Sequence, residues 1–239
     1  MKRALVTGGS GDIGAVICSR LASSGLHVIV HANTGIDRAE IAVNEIKSTG
    51  GSAEAVSFDV SDSAASKQAL ETLVSAGPIQ VIVNNAGIHD DAIMAGMKVE
   101  QWKKVIDVSL NGFFNVTQPL LLPMMQTRWG RIVNLSSVAG VIGNRGQANY
   151  AAAKSGLHGA SKSLAIEMGS RGITVNVVAP GVIESSMTKE AFSDEMIKQM
   201  IPMQHAGKAE DVANLIAFLV SDEACYISGQ IIGVNGGMV

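Results

Sequence analysis

Arg3-Ala4-Leu5-Val6-Thr7-Gly8-Gly9-Ser10-Gly11-Asp12-Ile13-Gly14 opens the chain and decides its fold. An apolar run of strand length, Arg3 to Thr7, enters a glycine-rich turn, and an amphipathic run of helix length, Ile13 to Ser24, follows at once. Glycine lets the backbone come close to a bound group. The first N–H groups of a helix have no partner within it and lie at its positive dipole end. A strand, then such a turn, then a helix is therefore a phosphate cradle rather than a plain tight turn. Gly8, Gly9, Ser10, Gly11, Ile13 and Gly14 are its expected lining.

Outward from this turn the same alternation continues. Strand-length apolar runs at His27–Ala32, Glu54–Phe58, Ile79–Asn84, Arg131–Ser136, Thr174–Val178 and Gln230–Val234 are separated by helical patterns. These fall at Arg38–Thr49, Ser63–Ser75, Glu100–Thr127, Asn149–Gly169 and Ala209–Ser221. Parallel strands need crossover connections, and the crossover helices cover both faces of the sheet. The pattern predicts one α/β domain over 1–239, a Rossmann-type doubly wound parallel sheet flanked by helices. One insert departs from it. Residues 182–207 carry Met187, Phe192, Met196, Met200 and Met203, and read either as ordinary helical packing or as a lid over an apolar substrate.

The bulk composition narrows the possible functions. With 239 residues, 47% hydrophobic and 16% charged, the chain is long enough and apolar enough for a substantial core. A net charge of -3 gives no basic footprint for nucleic acid or an anionic membrane. Cys18 and Cys225 are too few for a disulfide framework or a metal cluster, so no metal is expected and a reducing, cytoplasmic setting is. The apolar run after Lys2 and Arg3 stops at Gly8, too soon for a signal peptide, and no segment is long enough to span a membrane.

A dinucleotide site normally carries an acid at the end of its second strand, about 20 residues beyond the glycines, to bind the adenosine ribose. Here that strand ends in His31-Ala32-Asn33-Thr34. No carboxylate stands there to repel a 2′-phosphate, so NADP(H) is favoured over NAD(H). Asn33 is the expected contact and Arg38 the nearest cation for the phosphate.

Farther along, Tyr150 and Lys154 lie four apart in a helical pattern and so share a face. An ammonium beside a phenol stabilises phenolate, which predicts a lowered tyrosine pKa and proton exchange near neutral pH. Ser137, thirteen residues before Tyr150 at the end of a strand, can hydrogen-bond a carbonyl oxygen that gains negative charge. Asn84-Asn85-Ala86-Gly87 ends another strand.

Together these motifs resemble the short-chain dehydrogenase/reductase family over essentially the whole chain: Thr7 to Gly14, Asp59-Val60, Asn84 to Gly87, Ser137, Tyr150 with Lys154, and Pro180-Gly181. The resemblance implies that Asp59 and Val60 flank the adenine and that Asn85, Ala86 and Gly87 line the cofactor. It also implies that Tyr150 and Lys154 contact the nicotinamide ribose, with Pro180, Gly181, Ile183 and Ser185 near the nicotinamide. Within the family the likeness is to bacterial reductases of 3-oxoacyl groups on acyl carrier protein, through Gly143 to Lys154, Ser170 to Gly181 and Val234 to Met238. That branch implies a homotetramer, carrier-protein docking on Arg128 and Arg171, and a place in fatty acid or related polyketide or polyene synthesis.

Two positions depart from the family pattern. Asp12 stands where the family has glycine. It can cap the helix and compete for the N–H groups that phosphate would use, weakening cofactor binding, or it can face solvent. Ser109 stands where the family has a catalytic asparagine. Asn111 lies two positions on and points about 200° away around a helix, so Ser109 is the expected member of an altered proton relay to Lys154. His89-Asp90-Asp91 and the methionine-rich insert leave room for an unusual acyl chain. A dehydrogenase of another alcohol or ketone, or a dinucleotide-binding sensor or partner subunit with weak catalysis, remain alternative readings.

Overall fold

In the computed structural model, which describes residues 1–185, 188 and 193–239, strand and helix alternate from the start. The first half comprises β1 (Arg3–Val6), α1 (Asp12–Ser23), β2 (His27–Ala32), α2 (Ile36–Ser48), β3 (Ser52–Ser57), α3 (Ser63–Ser75) and β4 (Val81–Asn84). The second comprises α4 (Val99–Ile106), α5 (Gly112–Thr127), β5 (Gly130–Leu135), α6 (Val138–Ile142), α7 (Ala148–Met168), β6 (Ile173–Pro180), α8 (Asp194–Met200), α9 (Ala209–Leu219) and β7 (Ile231–Val234). Seven strands pair in the order β3-β2-β1-β4-β5-β6-β7, each neighbour parallel. This is the expected single-domain, doubly wound sheet.

Side chains alternate across a strand, so a sheet covered on both faces must be apolar at nearly every position. Ala4 and Val6 join Val28 and Val30 beneath Ile17 and Leu21 of α1, Val43 and Ile46 of α2, and Val212 and Ile216 of α9. Leu5, Ile29, Ile82 and Ile132 face the other way, onto Leu70 of α3, Val116 and Leu120 of α5, and Leu164 of α7. A polar ladder crosses this second layer. Asn84 Nδ2 donates to Thr117 Oγ1 at 2.9 Å and to Asn134 Oδ1 at 2.8 Å, and Asn134 Nδ2 donates to Ser161 Oγ at 2.7 Å. It ties β4 and β5 to α5 and α7.

The predicted helix Glu100–Thr127 is not continuous. A five-residue π-helical turn, Asp107–Asn111, separates α4 from α5. The extra residue lets Ser109 face inward while Asn111 stays on the surface, where its Nδ2 donates to Asp107 Oδ1 at 2.7 Å. The short α6 was not predicted, because a helix of one or two turns carries too few positions for a period to register, and α8 falls within the insert read in part as helical packing.

Strand order reverses between β1 and β4, because the chain runs outward from β1 to β3 and then crosses back. Crevices outside the carboxyl ends of strands at such a switch point are where open α/β sheets bind ligands. The glycine turn follows β1 there, and Asn85 follows β4.

Candidate active site

The glycine turn is held by β4. Thr7 Oγ1 accepts the N–H groups of Asn85 and Ala86, both at 3.0 Å, and Asn85 Nδ2 donates to the carbonyls of Thr7 (2.9 Å) and Gly8 (3.0 Å). Gly8 adopts φ +62°, a region that strains other residues. Any Cβ on Gly14 would lie 2.1 Å from the Gly8 carbonyl oxygen, so only glycine lets α1 start this close to the turn. Gly9 packs against Cys18 and Val30. Gly11 is the N-cap of α1 and supplies no side-chain cap, which leaves the first helical N–H groups for an anion.

Asp12 is the first residue inside α1, not its cap, and is exposed. Of the two expectations for this position, the solvent-facing one matches the structure. Its carboxylate sits at the positive end of the helix, which stabilises the helix. At the end of β2, Asn33 is exposed and its carbonyl accepts from the Ser57 hydroxyl. The Arg38 guanidinium folds back over Gly35, where an added Cβ would meet Nε and Nη2 at 3.2 Å. Asp59 Oδ1 accepts from the backbone N–H (2.8 Å) and hydroxyl (2.7 Å) of Ser61, and the carbonyl of the buried Val60 accepts from Asn115 Nδ2 at 2.9 Å.

Beyond β4 and β5 lies the second group. Ser137 caps α6, its Oγ accepting from the Ala139 N–H at 3.2 Å. Tyr150 lies in the first turn of α7 and Lys154 one turn on, with the Lys154 ammonium 5.6 Å from the centre of the phenol ring. Lys154 is 3% exposed and donates to the Leu135 carbonyl at 2.7 Å. That uses one of three ammonium protons. Ser109 is 3% exposed and its Oγ has no partner among the described residues. Gly87 lies against both groups: a Cβ there would be 3.0 Å from Lys154 Nζ and 3.4 Å from Ser109 Oγ. Ser109, Gly87 and Lys154 therefore share one small space.

Burial sets the titration of these groups. It pulls Lys154 down to about 8. Burial also raises Tyr150 above its ordinary value, with a hydrogen bond from Ser137 opposing and the charge of Asp91 reinforcing. The direction is opposite to the lowered tyrosine pKa expected from the Lys154 spacing, because desolvation of the phenolate is the largest influence and the Asp91 charge adds to it.

Gly181 packs against Asn235, and its N–H donates to the Val234 carbonyl at 2.9 Å. The start of the insert is pinned. Ile183 is buried and pairs its backbone with Gly207, while the Ser185 N–H donates to Thr188 Oγ1 at 2.7 Å. Met187 and Phe192, two of the lid residues named above, lie outside the described residues. Met196, Met200 and Met203 are all exposed. Arg128 reaches the residue before Arg171, its Nη2 donating to the Ser170 carbonyl at 3.3 Å. The two arginines precede β5 and β6, so they sit at the end of the sheet opposite Ser137. Among the described residues no group of three or more His, Cys, Asp or Glu could hold a metal, and no helix is long and apolar enough to cross a membrane.

Sequence reading missed one member of the site. His31 registered only as the lack of an acid at the end of β2, yet it is buried and its Nδ1 accepts the Gly8 N–H. A histidine in a sheet interior was the available signal.

A glycine turn at the switch point, with a tyrosine, a lysine and a serine gathered at the neighbouring strand ends, defines the class: an α/β oxidoreductase of the dinucleotide-binding type. A family model described as enoyl-(acyl carrier protein) reductase matches residues 9–239. The chain is 48% identical over 241 residues to the 3-oxoacyl-[acyl-carrier-protein] reductase FabG of Staphylococcus aureus, covering 99% of this chain and 98% of that protein. To FabG of Staphylococcus epidermidis it is 46% identical over 241 residues, covering 99% and 98%. To FabG of Escherichia coli it is 44% identical over 240 residues, covering 99% and 97%. The chain belongs to the short-chain dehydrogenase/reductase family, whose cofactor is a nicotinamide dinucleotide.

The residues present fit that cofactor. The turn offers uncapped helical N–H groups beside a close-approach glycine, the buried Ser109 hydroxyl lacks a partner, and Gly87 leaves open the space next to Lys154 that a Cβ would fill.

Proposed function

We propose that this enzyme reduces 3-oxoacyl thioesters on acyl carrier protein to 3-hydroxyacyl thioesters with NADPH, in fatty acid or related polyketide or polyene synthesis. The observation that carries the reading is the gathering of Ser137, Tyr150 and Lys154 in a chain 44% and 48% identical, over nearly its full length, to two 3-oxoacyl reductases.

When bound, a reduced nicotinamide supplies the hydride. Gly8, Gly9, Ser10, Gly11, Ile13 and Gly14 hold its pyrophosphate, Asp59 and Val60 the adenine, and Asn85, Ala86 and Gly87 the middle of the molecule. Pro180, Gly181, Ile183 and Ser185 flank the nicotinamide. Asn33 presents no carboxylate, and Arg38 is the nearest cation for a 2′-phosphate, which supports NADP(H) over NAD(H).

Ser137 donates its hydroxyl proton in a hydrogen bond to the ketone oxygen, which can only accept, while one Oγ lone pair serves the Ala139 N–H. Tyr150 gives that oxygen its proton. A tyrosine whose pKa is raised is fully protonated at neutral pH, as a proton donor must be. Once the proton has left, the Lys154 ammonium stabilises the phenolate, and its remaining N–H groups hold the ribose. Ser109, through water in the space beside Gly87, returns a proton toward Lys154.

Arg128 and Arg171 bear the carrier protein. Because they lie across the sheet from Ser137, a carrier docked there presents its acyl group to another copy, in keeping with a homotetramer. The exposed Met196, Met200 and Met203 support a lid role over the acyl chain for the described part of the insert.

The test is consumption of NADPH with a 3-oxoacyl thioester, a 2-enoyl thioester and a small ketone in parallel. Faster turnover of the 3-oxoacyl thioester is expected. Preference for the enoyl thioester, or for NADH, would overturn the corresponding part of the reading.

A further inference from the structure

A glycine-rich turn has few side chains of its own to hold its shape, so the shape must come from neighbours. On one side Gly8 is fixed through its carbonyl, which accepts from Asn85 Nδ2 at 3.0 Å and from the Gly11 N–H at 3.1 Å. On the other side its N–H donates to His31 Nδ1 at 3.1 Å. The opposite ring nitrogen, Nε2, lies 2.9 Å from the Phe58 carbonyl oxygen at the end of β3. His31 is 1% exposed and stacks at a tilt on the Phe58 ring, centroids 4.2 Å apart.

These partners leave the imidazole a single arrangement. A carbonyl only accepts, so Nε2 carries the proton; a backbone N–H only donates, so Nδ1 offers its lone pair. The ring is therefore neutral, and burial lowers its pKa to about 4, against the opposing pull of the Phe58 carbonyl and of Asp59. It bridges the ends of β1, β2 and β3 on the side of the turn that Asn85 does not reach.

We propose that His31 is a positioning residue for the phosphate-binding turn, holding Gly8 so that the turn and the start of α1 keep the spacing a dinucleotide pyrophosphate needs. The link to α1 is direct: Gly14 packs its Cα against the carbonyl oxygen of Gly8, so any shift of Gly8 moves the first helical turn. His31 then governs affinity for the cofactor and not the rate of proton or hydride transfer. The inference rests on the cofactor reading given above.

Two substitutions separate the halves of the bridge. Asn places an acceptor where Nδ1 stands, and Gln places a donor where Nε2 stands. His31→Asn keeps the Gly8 contact and loses the Phe58 contact; His31→Gln does the reverse. NADPH binding is measured by calorimetry, with thermal melting and steady-state kinetics beside it. We expect His31→Gln to raise the Kd and the cofactor KM about ten-fold, the effect of one buried donor left unpaired, with kcat at saturation little changed. His31→Asn should restore most of the affinity, although both variants melt lower than the parent. If His31→Gln binds NADPH as the parent does, or if both variants lose affinity equally and in step with melting temperature, the positioning role is overturned while the cofactor reading stands. A parent enzyme that binds neither NADPH nor NADH would overturn both.

Discussion

Lys154 is buried with one backbone partner, and its ammonium is held to a pKa of about 8 because little surrounds it to replace water. Below that value it is charged and can stabilise the Tyr150 phenolate; above it the stabilisation is lost. The reductase rate should therefore fall on the alkaline side with an apparent pKa near 8, and Lys154→Arg should move that limb upward, since guanidinium keeps its proton. A pH profile of kcat/KM checks both. Ser109 is a smaller effect at the same scale. Its hydroxyl is unpartnered beside Lys154, so Ser109→Ala should lower kcat about ten-fold or more and leave the cofactor KM unchanged. Unchanged turnover in Ser109→Ala together with faster turnover in Ser109→Asn would end the relay role. Ser109 was already expected as the relay partner of Lys154 from the family pattern, whereas the Leu135 carbonyl that holds the ammonium was not legible in the sequence. Tyr150 and Lys154 were recognisable by spacing, but the sign of the tyrosine shift depended on how much surface packing removes from the phenol.

At the scale of elements, the site is made where a strand end meets a helix start. Gly14→Ala puts a Cβ 2.1 Å from the Gly8 carbonyl, where backbone and not a flexible side chain must yield. It should open the turn, raise the Kd for NADPH by two orders of magnitude or more and lower the melting temperature, measured by calorimetry and thermal melting. The Asn84, Thr117, Asn134 and Ser161 ladder binds the two catalytic strands to the helices behind them. Asn134→Ala leaves two buried groups short of a partner and should cost about 2 to 4 kcal/mol in urea unfolding. Strands and long helices were legible from period and length alone. The π-helical turn was not, since Asp107 to Asn111 continues the helical pattern on both sides and nothing in residue type marks one extra residue.

For the molecule as a whole, buried histidine links stability to pH. The folded pKa of His31 is about 4 and its ordinary value 6.5, so the unfolded chain binds a proton that the folded chain excludes. Its contribution is fully present above about pH 6.5 and is lost as pH falls toward 4, worth about 3 kcal/mol in all. Urea midpoints between pH 7 and 4 should fall more steeply in the parent than in His31→Asn. Substrate delivery belongs to this scale too. Arg128→Glu with Arg171→Glu should slow turnover of carrier-linked substrate at least ten-fold and spare a small ketone. Equal losses on both substrates would remove the docking role.

The sequence by itself determined the doubly wound sheet, the glycine turn between its first strand and helix, and the family, because these depend on local period, on glycine at a strand-to-helix junction and on spacing within one helix. Tertiary structure alone decided that Asp12 faces solvent, that Ser109 meets Lys154 across Gly87, that His31 braces Gly8, and that the arginine pair lies across the sheet from the chemistry. All but the first of these relate residues distant along the chain. Which side chains meet, and how much water they lose, is set by the packing of the sheet against its helices, and no linear pattern encodes it.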